Sequence, residues 1–118
     1  STKTQISKTQ QVSKVSSSSV SSYDIFIQIR TGDTQKTIEL LEKEEWDLDS
    51  NLNAFHWTAL HLAAYQGDYS LAEYLIQRGA DLNLKTSRGD TPYKLAQDKG
   101  NYELCGLFQH GASILVEP

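Results

Sequence analysis

The chain contains no methionine, a single cysteine and only two prolines, and no apolar run approaches the roughly 20 residues that cross a bilayer as a helix. With one thiol, Cys105, neither an internal disulfide framework nor a multi-cysteine zinc site can form, and a reducing compartment fits best. These absences lead to the expectation of a soluble intracellular protein, cytoplasmic in the first instance, with an organelle as the alternative. Because residue 1 is a serine and methionine is lacking, a processed chain or a piece of a longer one is expected. Gly32, Gly67 and Gly100 stand alone, so no glycine-rich loop is present to cradle a phosphate. The histidines are equally scattered: His56 and His61 are separated by a non-ligating interval and His110 lies far off, which gives no metal-binding spacing.

Acid is missing from the first part of the chain. Residues Ser1 to Ser22 hold nine serines and three threonines and have no acidic, aromatic, glycine or proline residue, so they have almost nothing to bury. They are expected to be an extended or disordered tail of charge +3, carried by Lys3, Lys8 and Lys14. Ile6, Val12, Val15 and Val20 are sparse apolar pegs that suit a segment laid along a partner's groove. A phosphorylation-controlled linker and a transit-peptide remnant are the competing readings of the same composition. The remainder is acidic, with a balance of −7 from residue 24 onward, and that argues against wrapping a nucleic-acid backbone.

Within the acidic part the sequence repeats itself. Gly67-Asp68 superimposes on Gly100-Asn101 at an offset of 33 residues, which aligns Thr58-Ala59-Leu60-His61-Leu62-Ala63 with Thr91-Pro92-Tyr93-Lys94-Leu95-Ala96. The same frame meets Gly32-Asp33 upstream at an offset of 35. Apolar pairs follow each glycine, Leu40-Leu41, Leu75-Ile76 and Leu107-Phe108, and Gly79-Ala80-Asp81-Leu82-Asn83 is echoed by Gly111-Ala112-Ser113 and by Trp46-Asp47-Leu48-Asp49. A unit of this length opening on this motif resembles the ankyrin repeat. The resemblance implies an all-α solenoid of helix-turn-helix units with β-turn fingers, over residues 23–115, preceded by the Ser/Thr/Lys-rich tail 1–22. The units are expected near 23–55, 56–88 and 89–115, with the outer two acting as caps.

Local chemistry agrees. Thr58 and Thr91 sit where a helix N-cap is wanted, and Pro92 then occupies the first helical position, where its missing donor costs nothing. Leu60, Ala63 and Ala64 form a narrow stripe that lets neighbouring helices approach, and Gly67 and Gly79 suit left-handed helix ends. The pattern predicts first helices near 24–31, 58–66 and 91–99 and second helices near 34–43, 68–78 and 101–109. Three departures stand out. His56 replaces an expected glycine and predicts an altered turn. Unit one carries two extra residues, expected near Glu44 to Trp46 and near Ser50 to Asn53. Unit three runs one residue short before Gly111.

Two features invite a chemical reading. Cys105 lies on a packing helix, which points to a buried structural thiol rather than a nucleophile, since a nucleophile needs a base and an orienting group beside it. Six acids crowd the stretch from Glu39 to Asp49, where Glu39 and Lys43 form an i, i+4 pair. That run reads as a solvated helix face, with a docking patch for a basic partner as the alternative.

The ankyrin resemblance implies a non-catalytic protein–protein interaction module, with no cofactor and no nucleic acid. Its contact surface consists of finger positions flanking each turn plus the last residues of each first helix. On this chain those positions are Ala54, Phe55, Trp57, Tyr65 and Gln66 in unit two and Ser87, Arg88, Asp90, Asp98 and Lys99 in unit three. Arg30 and Thr31 are the helix-end equivalents in unit one. Trp57 has an alternative role, packing on a neighbouring finger, and for His61 the resemblance implies a hydrogen bond between units. The expected function is that of an adaptor or assembly factor. The alternatives are an accessory subunit anchored by its tail, or the targeting repeats of a larger enzyme.

Overall fold

The computed structural model describes residues 20–116, with side chains described through residue 110. Residues 1–19, and with them the expected extended tail, lie outside the described residues. Among the described residues six helices follow in order: α1 (Ser22–Arg30), α2 (Thr34–Lys43), α3 (Ala59–Gln66), α4 (Tyr69–Gln77), α5 (Pro92–Asp98) and α6 (Tyr102–Val116). They pair as helical hairpins, α1 with α2, α3 with α4 and α5 with α6. The hairpins stack so that the first helices α1, α3 and α5 form one layer and the second helices α2, α4 and α6 the other.

The starts of α1 to α5 are each capped by a short polar side chain that takes up a free amide of the first turn. Thr58 accepts from the His61 amide and Thr91 from the Lys94 amide, with Pro92 at the first helical position. The second helices α2 and α4 are capped by Asp33 and Asp68, which accept from Lys36 and Leu71. Unit one has a cap that the repeat pattern did not anticipate. Ser21 accepts from the Asp24 amide while the Asp24 carboxylate accepts from the Ser21 amide, a reciprocal capping box. Ser21 and Ser22, which composition groups with the tail, are therefore the cap and first residue of α1.

The helix ends explain where the extra residues of unit one go. After α4, the Ala80 amide returns to the Leu75 carbonyl and the Gly79 amide to that of Ile76, a Schellman closure with Gly79 at φ +92°. After α2 the same two bonds run from Trp46 to Leu41 and from Glu45 to Glu42, and Glu45 adopts φ +49°. Glu45 thus stands in the place of Gly79, and the first extra residue is not in the turn near Glu44 to Trp46. It is absorbed within α2, which has 10 residues against 9 in α4. The second does fall between Ser50 and Asn53, because the paired aspartate turns at Asp47–Asp49 and Asp81–Asn83 still match on the far side of it.

Unit three also differs from expectation. Leu104, Cys105 and Phe108 fill the places of Leu71, Ala72 and Leu75 at the unbroken offset of 33, and all six are buried. No residue is missing before Gly111; instead α6 runs on through it to Val116. A glycine inside a helix costs about 1 kcal/mol but does not break it as proline does.

Between the layers lies a continuous core that includes Ile25, Ile29, Leu41, Leu60, Leu62, Leu71, Leu75 and Leu104, each at most 2 % exposed. Ala63, Ala64, Ala72 and Ala96 are fully covered, and their small side chains let the hairpins stack closely. Polar groups fasten the stack. Thr34 donates to the Asp68 carboxylate at 2.6 Å, the Gln66 amide group donates to the Ile29 carbonyl at 2.9 Å, and Asn101 donates to the Ala64 carbonyl at 2.9 Å.

Candidate functional site

The fingers between hairpins are built on side chains that satisfy the turn's own amides. In the second finger Asn53 Oδ1 accepts from the amides of Phe55 and Trp57, and the Leu52 amide reaches the Trp57 carbonyl at 2.7 Å. In the third finger Thr86 Oγ1 does the same for Arg88 and Asp90. The two are joined by the Ser87 amide, which donates to the Phe55 carbonyl at 2.9 Å. His56 takes φ +66° where the third finger has Gly89 at φ +86°, so the substituted turn keeps the glycine-like backbone at the expense of strain.

His61 anchors the fingers to the helices. The Thr58 amide donates to its Nδ1 at 3.0 Å, which leaves the proton on Nε2, shared between the Leu84 and Asp90 carbonyls at 3.0 Å each. The ring is buried, and burial lowers its pKa from the ordinary 6.5 against the opposing pull of those two carbonyls. It is a structural tie between units and not a reactive group.

On this frame the aromatic side chains converge. Trp57 packs edge-on against Tyr65 with ring centroids 5.4 Å apart and lies 6.2 Å from the His61 ring. Trp57 is half-buried and packs on Tyr65 and His61 of α3. Phe55, 62 % exposed, and Tyr65, 37 % exposed, stay open to solvent. Phe55, Trp57 and Tyr65 wall a cleft of about 280 Å³, with Phe26, Leu62, Asn53 and Arg30 completing it. Two cations lie over the Tyr65 ring, Arg30 at 5.8 Å and the Lys99 ammonium at 4.6 Å from its centroid, distances at which the ring face attracts them.

The remaining expected positions divide. Gln66 is held at both ends of its amide, accepting from Arg30 at 2.9 Å and donating to Ile29, so it fixes the site rather than reaching out from it. Asp98 is paired with Lys94 at 2.9 Å. The main chain of Asp90 closes the third finger. Ala54, Ser87 and Arg88 are exposed on the fingers, and Thr31 is exposed at the end of α1. None of these lines the cleft. Phe26 and Leu62 were not anticipated as cleft residues. Helical spacing carries their signal, because Phe26 lies four residues before Arg30 and Leu62 three before Tyr65, on the same helix faces.

Four of the six acids in the acidic run, Glu39, Glu42, Asp47 and Asp49, take partners within the repeats. Glu39 accepts from Gln35 and does not pair with Lys43; Glu42 accepts from Tyr74 at 3.1 Å and lies 3.7 Å from Arg78. Asp47 accepts from the Asp49 amide, and Asp49 from the Asp81 amide at 2.8 Å. Cys105 is buried on α6, and among the described residues no group of three His, Cys, Asp or Glu side chains is placed to hold a metal ion.

Stacked helical hairpins joined by turn-closed fingers define a helical-repeat solenoid. Residues 41–96 match the family model described as "Ankyrin repeats (many copies)". The chain is similar to an ankyrin repeat protein of Rickettsia bellii (strain RML369-C), 33 % identical over 75 residues, which is 64 % of this chain and 44 % of that protein. It is similar to ankyrin repeat and SAM domain-containing protein 6 of Mus musculus, 34 % identical over 58 residues, or 49 % of this chain and 7 % of that protein. It is also similar to the target of rapamycin complex 2 subunit AVO2 of Saccharomyces cerevisiae (strain ATCC 204508 / S288c), 37 % identical over 73 residues, or 59 % of this chain and 17 % of that protein. Residues 41–96 of the chain are ankyrin repeats, and the chain spans less than half the length of these relatives. Ankyrin repeats are general protein–protein interaction modules and are typically non-catalytic. Among the described residues no helix is long and apolar enough to cross a membrane.

Proposed function

We propose that residues 23–115 serve as a non-catalytic adaptor or assembly module, binding a partner protein through the second finger and the ends of the first helices. The observation that carries this reading is the cleft walled by Phe55, Trp57 and Tyr65: three aromatic side chains at positions the repeat pattern implies for contact, converging on one cleft, with Phe55 and Tyr65 open to solvent. Aromatic residues are enriched among interface anchors, and a few of them supply most of the binding free energy. Phe55 and Tyr65 act as anchors, Trp57 as the wall that orients Tyr65, and Arg88 and Lys99 as rim contacts. Ala54, Ser87, Asp90 and Asp98 shape the rest of the face, and Gln66 holds it in register.

A pull-down by the Phe55→Ala/Trp57→Ala double variant, with its fold checked by circular dichroism, tests the site. Loss of the partner is expected, since truncating a buried aromatic anchor commonly costs at least about 2 kcal/mol. Undiminished binding by a folded double variant moves the interface elsewhere. A second reading, an accessory subunit of a larger assembly, is favoured by the similarity to a target of rapamycin complex 2 subunit. Gentle affinity purification separates the two: one stoichiometric complex supports the subunit, exchangeable partners the adaptor. An intracellular, cytoplasmic setting fits both.

A further inference from the structure

We infer that the cleft and the row formed by Arg30, Tyr65 and Lys99 receive an extended segment of a partner protein in which Asp or Glu side chains flank a large apolar side chain. This rests on the reading of the second finger and first-helix ends as the binding face. Size limits the occupant first. About 280 Å³ lies just below the roughly 300–1,000 Å³ of pockets that enclose drug-sized ligands, and suits one side-chain anchor of a longer segment.

Charge limits it further. The body of the chain is acidic by −7, yet among the described residues neither cation on this row has a carboxylate partner. Among the described residues the ion pairs are Arg78 with Glu42 and Lys94 with Asp98, so neither Arg30 nor Lys99 is neutralised within the repeats. Arg30 spends one N–H on the neutral Gln66 side chain and keeps others for an acceptor. Lys99 rests over the Tyr65 ring, a contact that leaves its charge intact. Exposed apolar surface rimmed by unpaired positive charge favours an apolar anchor with acidic neighbours, while the carboxylates of α2 and its following loop repel such a segment from the other layer.

Geometry sets the spacing. Arg30 and Lys99 both lie within 6 Å of the same ring centre, at 5.8 Å and 4.6 Å, so their charged ends are no more than about 10 Å apart. An extended chain rises about 3.3 Å per residue, so the two carboxylates fall within about three residues of each other. The three residues of the row stand at the C-terminal ends of successive first helices, Lys99 as the cap of α5, which directs the segment across the units rather than along a helix.

Random 12-residue peptides displayed on phage, selected against the full chain, test this. Enriched sequences are synthesised and titrated by fluorescence anisotropy against the wild type, Arg30→Glu/Lys99→Glu and Phe55→Ala/Trp57→Ala. The expected peptides carry Asp or Glu within three residues of a large apolar side chain, lose about tenfold or more on charge reversal, and weaken as salt rises from 50 to 500 mM. If charge reversal unfolds the protein, Arg30→Gln/Lys99→Gln takes its place, with a several-fold loss expected. Neutral or basic peptides that need Phe55 and Trp57 but ignore the charge variants overturn the acidic segment while leaving the binding face intact. Peptides indifferent to both pairs of substitutions, or no enrichment at all, overturn the face as well.

Discussion

Replacing His61 by alanine tests how the fingers are held to the helices. In the wild type the ring satisfies the buried Thr58 amide and the Leu84 carbonyl; the Asp90 carbonyl also accepts from Thr86 at 2.9 Å and stays bonded without it. Two groups therefore lose their partners, each at about 1–3 kcal/mol, and the vacated ring leaves a cavity besides. A total near 3 kcal/mol is expected, a large share of the 5–15 kcal/mol that holds a small domain together. Urea unfolding followed by helical circular dichroism reads this as a lower midpoint at unchanged slope, and thermal unfolding as a drop of roughly 12–24 °C. The same ring gives the protein a pH dependence. Its folded pKa lies below the ordinary 6.5 because it is buried, so the unfolded chain takes up the proton first. The contribution is fully present above pH 6.5 and is lost as pH falls from there toward the folded value, at up to about 1.4 kcal/mol per unit. His61→Ala should abolish that component. A loss below about 1 kcal/mol, or an unchanged difference between pH 7 and pH 5.5, would refute the reasoning.

Four further substitutions probe the helix ends and the second finger. Gly67→Ala meets both a φ of +75° and the Asn101 side chain 3.2 Å from the new Cβ, so a loss of about 1–2 kcal/mol is expected in the urea midpoint; a neutral result counts against the closure described. Glu45→Gly and His56→Gly relieve left-handed strain at φ +49° and +66° and should each raise stability by about 0.5–1 kcal/mol, with lower midpoints as the contrary outcome. Ser21→Ala removes the capping box of α1 and should cost about 0.5–2 kcal/mol, seen as faster amide exchange in the first turn of that helix.

Much of this fold was legible because its rules are local. Thr58, Thr91 and Pro92 mark helix starts, Gly67 and Gly79 mark ends, and the repeat frame places the starts of the second helices to within one residue, while α6 runs seven residues past its expected end. What escaped depended on substitutes that perform a familiar task with an unfamiliar residue. Ser21 with Asp24 replaces the threonine start of unit one, and Glu45 does the work of Gly79, so the added residue looked as if it lay in the turn when it lengthens α2. At the candidate site the family pattern names positions but not their partners. It picked out Phe55, Trp57 and Tyr65, which do meet. It could not distinguish an open Lys99 from an Asp98 already paired with Lys94, because that depends on side chains a helical turn apart choosing each other. Glu39 shows the same limit, bonding to Gln35 where spacing alone suggested Lys43.

The claim that the second finger is a recognition surface is tested most directly by photo-crosslinking from two positions. A benzoylphenylalanine at residue 55, on the finger, is compared with one at residue 102, on α6, where the native Tyr102 is 73 % exposed. Adducts to a partner protein are expected from position 55 alone, and they should disappear when Tyr65→Ala is added to that chain. Adducts from position 102 with none from position 55 would contradict the account.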